Sequence, residues 1–207
     1  MVKGTPELIA GRRDEIVNAC EKLYETMSFK EITLKEIGNA VPFSRPTIYN
    51  YFQTKEEIFL ALFQREYERW NRDLEAIIEE NGSLTHKQLA DSVAKSLERR
   101  PQLLRLLAMN NYDMEANSRG ELLVGFKAAY GRSLENVRAI LEKFCPEKTE
   151  KEIGNVIYVF FPFMFGVYPY TSVTEKQRSA MEAAGVGFEY RSVYEIVYAC
   201  LIGLLGE

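Results

Sequence analysis

At 207 residues, 46% hydrophobic and 27% charged, the chain can build one large helical domain or two small ones, each with its own core. A formal net charge of −4 excludes a protein that coats nucleic acid through a broad basic surface, while leaving room for a local DNA-reading patch. Three widely spaced cysteines (Cys20, Cys145, Cys200) and one histidine (His86) form neither a CxxC pair nor a metal-ligand pattern, so no metal site or bound cofactor is expected. The thiols read as small buried apolar residues, which fits a reducing, cytoplasmic compartment.

The first sixteen residues, MVKGTPELIAGRRDEI, contain no apolar core of a signal peptide. Ile16, Cys20, Leu23 and Met27 then recur at helical spacing, predicting a first helix from about Pro6 to Met27. Three start signals follow closely. Thr33 with Glu36 and Thr54 with Glu57 have capping-box spacing, and Ser44 can cap the short helix between them. The helix after Thr54 carries Phe59, Phe63, Tyr67, Trp70, Leu74 and Ile78 on one face and should reach Glu80, where Asn81-Gly82 stops it.

Further helices are expected from Thr85 to Arg99, from Pro101, from Ser118 to before Pro146, from Thr149 to near Tyr168, from Thr174 to Gly185 and from Glu189 to Leu205. Strand-like alternation is absent. The chain therefore reads as all-α with nine or ten helices: a three-helix N-terminal module joined by a long fourth helix to a larger bundle. The expected division is 1–60 and 61–207. The apolar stretches 156–169 and 193–206 fall short of the ~20 residues of a membrane span and read as buried helices.

Residues 33–52 carry the functional signal. Leu34, Ile37 and Val41 turn inward on one short helix, and Ile48 and Phe52 on a second, with a tight turn between them. The second helix keeps an outer face of Arg45, Pro46, Tyr49 and Asn50, suited to a DNA groove. Arg45 can pair with guanine O6 and N7. Thr47, Tyr49 and Tyr51 offer hydroxyls to phosphates or base edges, and Thr33, Ser44 and Lys55 stand at helix starts where phosphates bind.

Thr33, Ile37, Ser44, Thr47, Ile48, Tyr49, Tyr51, Phe52, Lys55 and Ile58 together resemble the TetR family of bacterial transcription regulators, with the resemblance covering roughly residues 8–62. It implies a homodimer on a near-palindromic DNA operator, most simply a repressor released by a small-molecule inducer. Pro42 and Pro46 stand where the family usually has glycine, so base contacts do not carry over. The family habit, with the apolar character of 149–168 and 189–205, points to these as the dimer helices.

Relatives bind a small molecule in the larger domain. A pocket is expected from Arg105, Met109, Tyr112, Phe126, Tyr130, Phe161 and Phe165, with Asn110 and Asn111 as further polar anchors. No GxSxG, phosphate-cradling glycine loop or HExxH occurs, so no enzyme is expected. His86 reads as an exposed residue in a first helical turn. The alternative is an all-α interaction module that has lost DNA binding, in which the second short helix would be buried.

Overall fold

The computed structural model describes residues 5–109 and 111–206, and every regular element among them is helical. In order these are α1 Pro6–Thr26, α2 Leu34–Asn39, α3 Arg45–Ile48, α4 Lys55–Glu80, α5 His86–Glu98, α6 Pro101–Leu107, α7 Asn111–Ala116, α8 Gly120–Phe144, α9 Glu150–Thr171, α10 Glu175–Ala183 and α11 Val193–Leu205. Thr85, Thr149 and Thr174 each close a reciprocal capping box, as their spacing predicts. Ser192 with Glu195 closes a fourth, so α11 starts at Val193, later than the expected Glu189. Ser118 is no helix cap: its hydroxyl donates to the carbonyl of Met114 at 2.7 Å, and α8 opens at Gly120. After α10, Gly185 takes φ +67° and the amide of Val186 reaches back to Met181 at 2.9 Å, ending the helix with a left-handed cap.

The chain divides into two compact units: Met1–Arg65 with Asn110–Ala129, and Glu66–Met109 with Tyr130–Glu207. The first unit thus runs past residue 60 and takes back a segment from mid-chain, unlike the simple division at 60/61. Two contacts explain this: Phe63 packs on Phe126 with ring centroids 4.9 Å apart, and buried Glu57 pairs with Arg119.

In the first unit, Ile16, Cys20, Tyr24, Ile37, Ile48, Phe52 and Phe59 are fully buried or nearly so. Helices of six and four residues cannot stand alone. α2 and α3 each bury one large side chain, Ile37 and Ile48, contributing about 1.5–3 kcal/mol apiece. Arg65 ties α4 to α1 through Asn18, Glu21 and Asp14 at 2.5, 3.2 and 3.1 Å.

In the second unit, α5 packs on α11 and α6 on α9. Trp70 is wholly buried, its indole N–H donating to Ser96 Oγ at 3.0 Å. Its ring lies 6.0 Å from Phe161, which meets Tyr130 edge-on at 5.7 Å. α9 has the length and apolar composition to cross a membrane. Its inner stripe of Ile153, Val156, Ile157, Phe160, Phe161, Met164 and Val167 is instead buried in this unit, the pattern of a core helix.

His86 is half-buried, a correction to its expected exposure. Its Nδ1 lies 3.0 Å from the Gly206 carbonyl and its Nε2 3.1 Å from Glu147. Cys145 lies beside this pair, the three ligand atoms being within 4.8 Å of one another, a grouping the spacing did not show. Both ring nitrogens already have protein partners. Burial pushes the thiols of Cys20 and Cys200 up to about 12 and 11, and that of Cys145 upward too, so none of the three is a ready thiolate.

Candidate nucleic-acid interface

α2 and α3 are joined by a turn from Ala40 to Ser44 that contains Pro42, and no described non-glycine residue has a positive φ. The turn is therefore built without the left-handed conformation that glycine would supply. Gly38 lets the helices approach: a Cβ there would lie 3.5 Å from Ile48 Cδ1 and 3.6 Å from Arg45 Cβ. Thr33 caps α2, accepting from the amides of Lys35 and Glu36 at 3.2 and 3.4 Å, and its hydroxyl donates to the Glu36 carboxylate. α3 is one regular turn with Pro46 in its first two positions, and tight backbone bonds then carry the coil to Phe52.

Ile48 and Phe52 anchor this segment inward. Arg45, Pro46, Tyr49 and Asn50 stand outward and exposed, Tyr49 at 49%. Arg45 makes no hydrogen bond or ion pair with any described residue, so its five N–H donors are free. Ser44 occupies the N-cap position of α3 without capping it, its hydroxyl lying instead 3.0 Å from that of Thr47, which is half-buried.

Two expected DNA contacts face elsewhere. The Lys55 ammonium donates to the carbonyls of Phe29 and Ile32 at 2.7 and 3.2 Å and sits 4.1 Å from the Phe29 ring centroid. These acceptors and the ring hold the cation in the role of an internal brace for the chain entering α2, where a phosphate ligand was expected. Tyr51 is 8% exposed, and its buried hydroxyl has no hydrogen-bond partner among the described residues. Its ring packs while its backbone carbonyl does the binding.

That carbonyl accepts from Arg119 Nη2 at 2.8 Å. The same guanidinium holds the carboxylate of Glu57, 1% exposed, with Nε to Oε1 at 2.7 Å and Nη2 to Oε2 at 3.0 Å; the Arg119 amide adds a bond at 3.1 Å. The Gln53 amide donates to Glu57 Oε2 at 2.6 Å. Burial disfavours the charged carboxylate, but the bonds from Arg119 and Gln53 outweigh it and hold Glu57 below the usual carboxylate range. Arg119 therefore clasps the end of the α3 coil to the start of α4. The pair lies far apart in sequence, and only a buried-position glutamate in an amphipathic helix hinted at it.

Of the residues expected to line a ligand pocket, Tyr130 and Phe161 come together at one cavity of about 310 Å³ on α8 and α9. Leu134, Ile157 and Pro162 complete its apolar wall, and Tyr158, Glu135 and Arg138 are its other polar lining. Phe126 is buried against Phe63 in the first unit, Tyr112 is 87% exposed and Phe165 is 40% exposed. Arg105 and Met109 are half-buried at α6 and just beyond it, away from this lining; Asn110 and the side chain of Asn111 lie outside the described residues.

Residues 16–62 match the model described as bacterial regulatory proteins, tetR family, and residues 64–204 that of the Tetracyclin repressor-like C-terminal domain. The chain belongs to the TetR family. Members of the TetR family are DNA-binding transcription regulators with a small-molecule-binding C-terminal domain, and are not enzymes. The HTH-type transcriptional regulator EthR of Mycolicibacterium smegmatis is 37% identical over 51 residues, 25% of this chain and 24% of that one. The chain thus matches about a quarter of that relative's length. The solved FadR of Bacillus halodurans, a fatty acid degradation regulator, covers 100% of this chain and 97% of its own, with 17% identity and a TM-score of 0.59. FadR of Bacillus subtilis, solved in complex with stearoyl-CoA, has 16% identity and a TM-score of 0.61 over 93% of this chain and 97% of its own. At these identities the two structures speak to the TetR-family fold alone.

Proposed function

We propose that the chain is a dimeric repressor that reads a near-palindromic operator with the outer face of Ser44–Asn50 and is released by a small-molecule inducer bound in the second unit. The observation that carries this reading is the outward face of α3 and the turn after it. Arg45, Pro46, Tyr49 and Asn50 are exposed while Ile48 and Phe52 fasten the segment from below, so the face is presented rather than packed. Arg45, free of internal partners, supplies base reading, with Tyr49, Thr47 and Ser44 beside it for the backbone; Thr33 at the start of α2 is a further phosphate contact.

Dimerisation runs through α9 and α11. The outer side of α9 exposes Tyr158 at 84%, Val159 at 52% and Phe165, and α11, packed beside it, exposes Ala199 and Gly203. An apolar face of this kind is closed economically by a second copy about a two-fold axis. That FadR of Bacillus subtilis was solved with stearoyl-CoA supports an amphipathic effector here as well.

The test is fluorescence anisotropy on the DNA upstream of the chain's own gene, at two salt concentrations, beside Arg45→Ala. Saturable binding competed by unlabelled site, weakened about tenfold or more in the variant, is expected from a loss of ~1–3 kcal/mol per guanine contact. Binding that is unspecific, or indifferent to Arg45, refutes the assignment of the reading face.

A further inference from the structure

We propose that the inducer is a compact amphiphile with an anionic head, seated in the α8–α9 cavity with its head on Arg138. This inference rests on the ligand-responsive reading above and names the ligand class for it. The wall from Tyr130, Leu134, Ile157, Phe161 and Pro162 is apolar and aromatic, and selects an apolar body. The cavity of about 310 Å³ equals about ten liquid-water volumes of ~30 Å³ each, room for roughly ten to fifteen non-hydrogen atoms.

Arg138 supplies the second observation. The residue is half-buried, and its guanidinium makes no hydrogen bond or ion pair with any described residue. Elsewhere in the same unit the fold matches such a group: half-buried Arg100 binds Asp73 at 2.8 Å. Arg138 even leaves Glu135, one turn back on the same lining, without a bond to it. A permanently charged fork held partly out of water beside an aromatic wall is costly without an anion and strongly favoured with one. A carboxylate can take two parallel N–H bonds from it. Glu135 is exposed at the rim, where its charge opposes an anion weakly through solvent. A free acid and the phosphates of an acyl thioester share this chemistry.

Trp70, the chain's one tryptophan, lies with its ring 6.0 Å from that of Phe161 on the cavity wall and reports occupancy by fluorescence. The DNA-free protein is titrated with decanoate, 1-decanol, decylamine and decanoyl-CoA, and its variants Arg138→Gln and Glu135→Gln with the same four, after circular dichroism shows them folded. Saturable binding of decanoate at least tenfold tighter than decanol or decylamine is expected. Arg138→Gln should bring decanoate down to decanol's level and leave decanol unchanged, and Glu135→Gln should tighten decanoate. If decanoyl-CoA takes the place of decanoate, with the same loss in Arg138→Gln, the anionic head is the thioester's phosphates. Equal binding of decanol and decanoate, indifference to Arg138, or no saturable response overturns the proposal; the last is also what a side chain of a second copy filling the cavity would give. Because no DNA is present, a failure here leaves the DNA-reading assignment standing. Acid binding by a protein that reads no operator would sink the regulator reading instead.

Discussion

Replacing Arg119 by methionine removes the guanidinium and keeps an unbranched side chain. Glu57 is then left 1% exposed with only the backbone amides of Gln53 and of residue 119 for partners, and the Tyr51 carbonyl loses its donor. Stripping one partner from a buried ion pair typically costs about 3–5 kcal/mol. The Arg119 side chain is 34% exposed, so water can reach the vacated place, and a loss of about 2–3 kcal/mol is expected. In a circular dichroism melt this lowers the transition by roughly 4–10 °C. Hydrogen exchange should place the loosening in the first unit, from Tyr51 into α4. The double variant Glu57→Gln/Arg119→Met removes the stranded charge and should recover half or more of the loss. The depressed Glu57 carboxyl makes its contribution present above its unfolded value near 4.5 and lost as pH falls through the lower folded value. The gap between wild type and Arg119→Met should therefore close below about pH 4.5. A shift under about 1 °C, or a double variant no more stable than the single one, would refute the reasoning.

Three further outcomes are expected. Tyr51→Phe deletes a buried hydroxyl with no partner among the described residues, so stability in a urea titration should stay level or rise by up to about 1 kcal/mol; a loss would reveal a partner in solution. Gly38→Ala adds a methyl at ordinary contact distance inside α2 and should stabilise by up to ~1 kcal/mol in urea titration, whereas destabilisation would mean α2 and α3 pack more tightly than the 3.5 Å approach indicates. Val159→Glu puts a charge on the outer face of α9 and should shift sedimentation from dimer towards monomer at micromolar concentration; an unchanged dimer would move the interface elsewhere.

Much of the helix map is legible because its signals are local. Thr33, Thr85, Thr149 and Thr174 each precede a Glu or Gln by three residues, and a cap needs nothing more distant. The α4 stripe from Phe59 to Leu74 is likewise set by period alone and is buried throughout. What escaped depends on partners remote in sequence. Nothing near Lys55 shows that Phe29 and Ile32 will take its ammonium, or near Tyr51 that its ring will fold under. Ser118 and Glu121 imitate a helix start so well that Arg119 between them passes unnoticed, although Arg119 draws residues 110–129 into the first unit. The cavity shows the same division: Tyr130 and Phe161 stand out by aromaticity, while Arg138 matters only because no other described residue satisfies it.

The inward turn of Lys55 has a thermodynamic signature in operator binding. Each cation that meets a phosphate displaces about 0.9 of a condensed counterion, and a two-fold complex would have counted Lys55 twice. With both ammonium groups committed to the Phe29 and Ile32 carbonyls, the slope of log affinity against log salt should be shallower by about 1.8. Between 50 and 200 mM salt that spares roughly a tenfold loss of affinity. An acidic protein that spends few cations on the DNA backbone gives up non-specific grip and holds its operator through a larger range of ionic strength.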